Sequence, residues 1–130
     1  MYKAITRNIQ VTVTPRFLPE QSAPNRKRFL WSYAIEILNL SQERVQLLER
    51  HWQIADADGH TEEVRGPGVV GEQPVLEPGE SFSYTSGVPL STSSGLMVGT
   101  YNMVNDAGDQ FEVAIPAFSL DMDDAPRTVH

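Results

Sequence analysis

Apolar and polar residues alternate with a period of two along most of the sequence. The longest alternating run extends from Phe29 to Ile37, and no segment carries a helical stripe of apolar residues. Because successive side chains of a strand point to opposite faces, this pattern predicts half-buried β-strands. In the alternating run Val45–Ala55, Leu48, Trp52 and Ile54 are expected to share one face. The aromatic and apolar side chains predicted to be buried include Trp31, Tyr33, Ile35, Trp52, Met103 and Phe111.

Turn sequences separate the alternating runs. Residues Asp56–Gly59 and Asn105–Gly108 each lie between two extended runs, as hairpin loops do. Three prolines confine Pro15–Asn25 to a loop or an irregular edge. About seven short strands with turns every 8–12 residues or so predict an all-β protein, an immunoglobulin-like antiparallel β-sandwich.

The segment Gly99–Met103 matches the spacing of a tyrosine corner in immunoglobulin-like domains. In that motif the tyrosine hydroxyl bonds back to the chain, and the residue two positions later faces the core. The match predicts these roles for Tyr101 and Met103, with Trp52 as the large aromatic residue of the core.

Length and composition limit the function classes. The 130 residues are 40% hydrophobic and contain no cysteine. They predict one domain over residues 1–120 and a flexible acidic tail over 121–130. No stretch approaches the roughly 18 apolar residues of a membrane span, and no leading segment resembles a signal peptide, so we expect a cytoplasmic protein. The lack of cysteine excludes disulfides, thiolate zinc sites and a cysteine nucleophile.

Acidic side chains outnumber basic ones, mainly in the second half of the sequence. The formal net charge is −7, with 9 basic and 8 acidic residues in 1–65 but 1 and 9 in 66–130. This balance argues against general binding to a nucleic-acid backbone. The asymmetry fits either a charged interaction surface or a solvated acidic face.

The segment Gly66–Gly71 satisfies the pattern Gly-x-Gly-x-x-Gly, in which glycines open a phosphate-binding helix. Pro74 and Pro78 occupy positions where that helix would run, and acidic residues follow the glycines. The sequence therefore favours a glycine loop between strands, and we expect neither catalysis nor tight nucleotide binding there. A weak anion nest remains as the alternative, with Arg65, Gly66, Gly68 and Gly71 as its residues.

Metal ligation and catalysis have less support from the sequence. Asp56, Asp58, His60 and Glu62, with the adjacent Glu63, could place oxygen and nitrogen ligands around one hairpin. Their spacing is also ordinary for an exposed turn. Ser86 does not lie in a Gly-x-Ser-x-Gly elbow. We therefore expect no enzyme activity and no cofactor, with weak divalent-metal binding as the alternative.

Several strings together resemble the ApaG family over nearly the whole chain. They include Arg65–Pro74, Pro78–Glu80 and Tyr84–Gly87, with Asn39–Ser41 and Leu47–Trp52 upstream and Ile115–Phe118 downstream. The resemblance implies a fibronectin-type-III-like sandwich in a bacterial cytoplasmic protein, associated with cobalt resistance and magnesium efflux. It also implies a pyrophosphate-binding hypothesis for Gly66, Gly68 and Gly71. Related domains fused to eukaryotic proteins look like interaction modules.

These observations favour a protein-interaction module over a ligand binder. A soluble domain without a membrane span does not conduct ions, so any part in efflux is indirect. The expected partner is an unidentified protein, and self-association is left open. The candidate interaction loop comprises Arg65, Gly66, Gly68, Val69, Val70 and Gly71. Two interpretations of the valines compete: either they contact a partner, or they tuck into the open edge of the sandwich.

Overall fold

Nine strands form the regular structure of residues 1–122, the part of the chain that the computed structural model describes. They are β1 (Tyr2–Thr6), β2 (Ile9–Phe17), β3 (Phe29–Asn39), β4 (Val45–Asp56), β5 (Thr61–Pro67), β6 (Val75–Leu76), β7 (Ser81–Leu90), β8 (Ser94–Asn105) and β9 (Gln110–Asp121). Two short 3-10 turns, Pro19–Gln21 and Pro24–Arg26, connect β2 to β3.

The strands make two antiparallel sheets that pack face to face. The first sheet has the order β1-β2-β3-β7, and the second has the order β5-β4-β8-β9, with β6 beside β4. The predicted β-sandwich is confirmed. The described part of the chain has nine strands instead of the predicted seven or so. The additional strands are β1 and the two-residue β6, which are too short for the alternation pattern to reveal.

The core lies between the sheets and is formed by the alternating apolar residues. Five of the six side chains predicted to be buried are buried: Trp31, Tyr33, Ile35, Trp52 and Met103. Phe111 was also expected in the core, but it is only half-buried. The guanidinium carbon of Arg7 lies 4.3 Å from its ring centroid. The ring therefore packs at the margin of the core, covered by a cation on one side.

A β-bulge corrects the predicted inner face of β4. The pairing with β8 shifts between Leu47 and Glu49, which leaves Leu48 as the extra residue. Because a bulge changes the parity of the side chains that follow, Leu47 faces inward before it and Trp52 faces inward after it. Leu47 is buried and Leu48 is half-buried, so the prediction that Leu48 shares the face of Trp52 was wrong in this detail.

The predicted loop Pro15–Asn25 starts later than expected, because β2 continues to Phe17. Pro15 pairs with Tyr33 of β3, whereas the pairing of β2 with β1 ends at Val13. Pro15 therefore lies in the part of β2 that does not pair with β1. Because no described strand pairs with β2 on that side, the missing N–H of Pro15 costs no hydrogen bond to β1.

The two lateral edges of the sandwich differ. At one edge β9 packs against β1 and β2, and the backbone N–H of Ala114 donates to Oγ1 of Thr6 at 3.1 Å. At the other edge, no strand of residues 1–122 lies beyond β7 of the first sheet or β5 of the second. The glycine segment and the Asp56–Gly59 turn both belong to this second edge.

The far end of β9 reaches into the segment predicted as a flexible tail. Asp121 is its last residue, and the Asp121 carbonyl accepts a 2.7 Å hydrogen bond from Nε1 of Trp31. The rest of the predicted tail from residue 123 onward lies outside the described residues.

Candidate functional site

The glycine segment forms the end of a β-hairpin. After β5 ends, the backbone N–H of Val69 donates to the Glu72 carbonyl at 2.8 Å, and the N–H of Glu72 donates to the Val69 carbonyl at 2.9 Å. The two residues between them, Val70 and Gly71, have φ angles of +44° and +82°. Positive φ at both central positions is the signature of a type I′ turn. We call Gly68–Gln73 the glycine turn; no helix starts in it, as predicted.

Packing explains two of the three glycines. A Cβ on Gly66 would lie 3.0 Å from both Nη1 and Nη2 of Arg50, whose guanidinium covers this glycine. A Cβ on Gly68 would lie 2.2 Å from the Glu72 carbonyl oxygen, and φ at Gly68 is +62°. Glycine is therefore required at Gly68 by close approach to backbone and by backbone conformation, whereas a side chain at Gly66 would displace the flexible end of Arg50.

Arg50 secures the glycine turn from the inner side of the sandwich. Its Nη1 donates to the carbonyls of Pro67 and Gly68 at 3.1 and 2.9 Å. Nε2 of Gln73 and the N–H of Gly68 both donate to the Leu48 carbonyl, at 2.9 and 2.8 Å. The turn thus depends on hydrogen bonds from other parts of the chain.

The proposed anion nest has few amides left to offer. The N–H groups of Gly68, Val69 and Glu72 are all bonded to carbonyls, and Pro67 has none. Arg65 pairs with His51 in the β4–β5 ladder, and its side chain is largely exposed, with Nη2 4.0 Å from Oε1 of Glu63. Because neighbouring strand residues point to opposite faces, Arg65 projects away from the side where Arg50 covers Gly66.

The two valines of the glycine turn have opposite environments. Val69 has 0% of its surface exposed and belongs to the core cluster, whereas Val70 is 56% exposed. Val70 also holds a left-handed backbone conformation, which is unusual for a β-branched residue. The architectural interpretation therefore fits Val69, whereas Val70 keeps its apolar side chain exposed to solvent.

The candidate metal ligands surround the β4–β5 turn, where Asp56 has a structural role. Its Oδ1 accepts hydrogen bonds from the N–H groups of Asp58 and His60, both at 2.9 Å, and its Oδ2 lies 3.3 Å from Nδ1 of His60. Burial raises the pKa of Asp56, but these hydrogen bonds lower it by more, so the pKa falls below its ordinary value. The carboxylate closes the turn on itself.

The other acidic candidates do not converge on Asp56. Glu62 is the cross-strand partner of Ile54, and its side chain lines the groove at the open edge of the sandwich. Glu63, the next residue of β5, points to the opposite face of the sheet. There Nε2 of His51 lies 2.8 Å from Oε1 of Glu63, and this hydrogen bond lowers the pKa of Glu63. Among residues 1–122, no three His, Asp or Glu side chains are grouped to hold an ion.

A pair of tyrosines joins the two sheets in place of the predicted tyrosine corner. The hydroxyl of Tyr101 lies 2.5 Å from the hydroxyl of Tyr84 on the facing sheet, instead of bonding back along its own chain. Burial raises the pKa of both side chains. The second part of the prediction is confirmed, because Met103 is buried two residues later.

Motif reasoning missed Arg50 and Tyr84, and it gave Tyr101 the wrong hydrogen-bond partner. Arg50 lies two residues from both Leu48 and Trp52, so the predicted inward face of this run includes Arg50. The alternation pattern was therefore a signal for an inward-facing cation. Tyr101, the cross-strand partner of Arg50, is fully buried, which confirms that direction. The tyrosine pair has no local signal, because it depends on which strands face one another.

Fold and site together define a class: a small antiparallel β-sandwich with a glycine turn secured at an open edge. The family described as the ApaG domain matches residues 19–105. Protein ApaG of Xanthobacter autotrophicus is 59% identical and that of Bradyrhizobium diazoefficiens 58%, each over 130 residues and the full length of both chains. The crystal structure of an ApaA protein from Bordetella pertussis superposes with a TM-score of 0.87 at 48% identity, covering 92% of this chain and 95% of that one. The chain belongs to the ApaG family.

Proposed function

We propose that this ApaG-family domain is a non-enzymatic protein-interaction module of the bacterial cytoplasm, with a fibronectin-type-III-like fold, that contacts a partner through the glycine turn. The observation that supports this is the contrast between Val69 and Val70. Val69 is buried as an anchor, while Val70 is held in a strained backbone conformation with its side chain exposed. Strained residues that persist in a well-supported fold are often found where a protein meets its ligand.

The turn has the properties that reduce the cost of association. Hydrogen bonds from Arg50 to the Gly68 carbonyl and from Gln73 to the Leu48 carbonyl attach the turn to β4 before any partner binds. A contact that is already ordered loses less conformational entropy on docking. Val70 would supply the apolar contact, and Arg65 would add a directional donor on the neighbouring strand.

The family's association with cobalt resistance and magnesium efflux would then be indirect. Within residues 1–122, none of the helical segments has the length and apolar character needed to span a membrane. We therefore propose that the domain influences ion movement by binding another protein. Asp56 supports this preference over metal binding, since its carboxylate is already engaged by the turn.

A substitution at Val70 tests the proposal. Asparagine tolerates the left-handed conformation, so Val70→Asn removes the apolar side chain and keeps the turn. We expect the tagged variant to retain its Tm and to lose at least tenfold in the capture of a defined partner from a bacterial lysate, measured by quantitative mass spectrometry.

Leu96→Asn is the matched control, since Leu96 is also an exposed apolar residue but lies on β8. It should leave both Tm and capture unchanged. Equal capture by wild type and Val70→Asn would contradict the proposed surface. Saturable binding of Mg²⁺, Co²⁺ or pyrophosphate that Asp56→Asn or Arg65→Ala abolishes would instead favour the ligand-binding alternative.

A further inference from the structure

A groove runs between β5 and β7 at the open edge of the sandwich, with a volume of about 350 Å³. We call it the edge groove. Its walls are apolar and polar in nearly equal parts, and the apolar part includes Trp52, Val64, Val88 and Met97. Polar side chains reach it from both sheets: Arg50 from β4, Tyr33 from β3 and Ser86 from β7. Apolar concavities with a few convergent polar groups are the usual form of small-ligand sites.

Arg50 is the unusual member of this lining, because it is a half-buried cation on an inward face. In the part of the chain that the structure describes, no carboxylate oxygen lies within 4.0 Å of its guanidinium. Its two hydrogen bonds to carbonyls both use Nη1. Nε and Nη2 therefore remain without a protein acceptor among residues 1–122.

The two unused nitrogens are the ones that bind a planar anion. Nε–H and one N–H of Nη2 point in the same direction and form a fork that matches the two oxygens of a carboxylate. Neither nitrogen is completely buried, since none of the described side-chain nitrogen or oxygen atoms is both sealed from solvent and unpaired. The fork is held in place because Nη1 is bonded to the Pro67 and Gly68 carbonyls.

Two further donors lie along the same groove. The ring of Tyr33 is buried against Trp52, with centroids 5.4 Å apart, yet its hydroxyl makes no hydrogen bond within residues 1–122. Ser86 is the cross-strand partner of Tyr33, so both side chains project from the same face of the first sheet. The Ser86 hydroxyl is likewise unpaired within the described chain.

Acidic groups occupy only the far end of the groove. Glu62 is opposite Ile54, four residues along β4 from Arg50, which corresponds to roughly 13 Å of strand. Asp56 lies farther along, and its carboxylate is engaged by the turn. An anion beside Arg50 would thus meet donors and apolar walls.

We propose that the edge groove binds a small organic carboxylate, with its oxygens on the Nε/Nη2 fork of Arg50 and its apolar body between Trp52 and Val88. Tyr33 and Ser86 donate further hydrogen bonds to the ligand. The apolar walls favour a carboxylate with a hydrocarbon body over inorganic phosphate. This site is separate from the glycine turn's outer surface and does not depend on the interaction proposed there.

Phenylacetate is a suitable probe, and binding is measured by two-dimensional amide NMR titration of the full chain. We expect saturable shifts at the Trp52 indole, Ser86 and Val88. Arg50→Lys keeps the charge but removes the fork, and should weaken binding at least tenfold. Tyr33→Phe removes one hydroxyl and should weaken it about threefold. Arg16→Gln, which removes an exposed arginine of β2, should have no effect.

Tyr33→Phe keeps the test decisive if the Arg50 variant fails to fold, because it leaves the ring and its packing in place. Phenylacetamide and inorganic phosphate should bind at least tenfold more weakly than phenylacetate. The proposal is overturned by absence of saturation at 20 mM phenylacetate or so, by equal affinity for the amide or for phosphate, or by wild-type affinity in Tyr33→Phe.

Discussion

The two turns that flank β5 are built on opposite principles. At its beginning, Asp56 closes the β4–β5 turn with its own carboxylate, which accepts the N–H groups of Asp58 and His60. At its end, the glycine turn is secured by Arg50 and by the burial of Val69. The first turn is stabilised locally, whereas the second depends on the assembled sandwich. A substitution should therefore have a small effect in the first turn and a large one in the second.

The largest difference is expected between two glycines that both have positive φ. Gly68→Ala introduces a Cβ 2.2 Å from a backbone oxygen, whereas Gly59→Ala meets nothing within 4 Å. We expect Gly68→Ala to lower the free energy of unfolding by about 3–5 kcal/mol. Gly59→Ala should lower it by only about 1–2 kcal/mol, from backbone strain. Urea denaturation measures both, and equal losses would refute the distinction between the turns.

The second difference is expected within the glycine turn itself. Val69→Ala removes buried methyl groups and should lower the free energy of unfolding by about 1.5–3 kcal/mol. Val70→Gly relieves a strained conformation of an exposed residue and should raise it by roughly 0.5–1 kcal/mol. Thermal denaturation of the two variants would show shifts of opposite sign. A loss of stability in Val70→Gly would mean that its side chain supports the fold.

The smallest effect on stability is expected when the carboxylate of Asp56 in the β4–β5 turn is protonated by acid. Because the pKa of Asp56 is lower in the folded protein than its ordinary value, its carboxylate stabilises the fold above the unfolded-state pKa of about 3.9. That stabilisation is lost as the pH falls through the folded-state pKa. The stability of wild type relative to Asp56→Asn should therefore stay constant from about pH 7 to 5 and shrink below about pH 4.

Equilibrium denaturation at several pH values measures this difference in stability. As a control, the single variant His60→Gln is compared with the double variant that also carries Asp56→Asn, because neither protein contains the histidine. A difference that stays unchanged down to about pH 2 would show that the carboxylate of Asp56 is not favoured in the folded state.

The same contrast explains which features the sequence revealed. The β-sandwich, the inward face of β3 and the two Asx-type hairpin turns depend on local alternation and on Asp56 and Asn105, whose side-chain oxygens bond to nearby amides. The bulge at Leu48 and the covering of Gly66 by Arg50 depend on how strands pair. Sequence spacing could suggest a phosphate loop at Gly66–Gly71, but only the fold shows that packing requires Gly68 and that Arg50 lies over Gly66.

The pairing of β3 with β7 has a consequence for how the chain reaches its folded state. Phe29 pairs with Leu90 at one end of this ladder, and Trp31 bonds to Asp121 of β9. Proteins dominated by such sequence-distant pairings fold slowly, in milliseconds to seconds, because long loops must close before the contacts form. In a Trp52→Phe variant, the fluorescence of the Trp31 indole would report when β9 docks onto a sheet made largely from the first half of the chain.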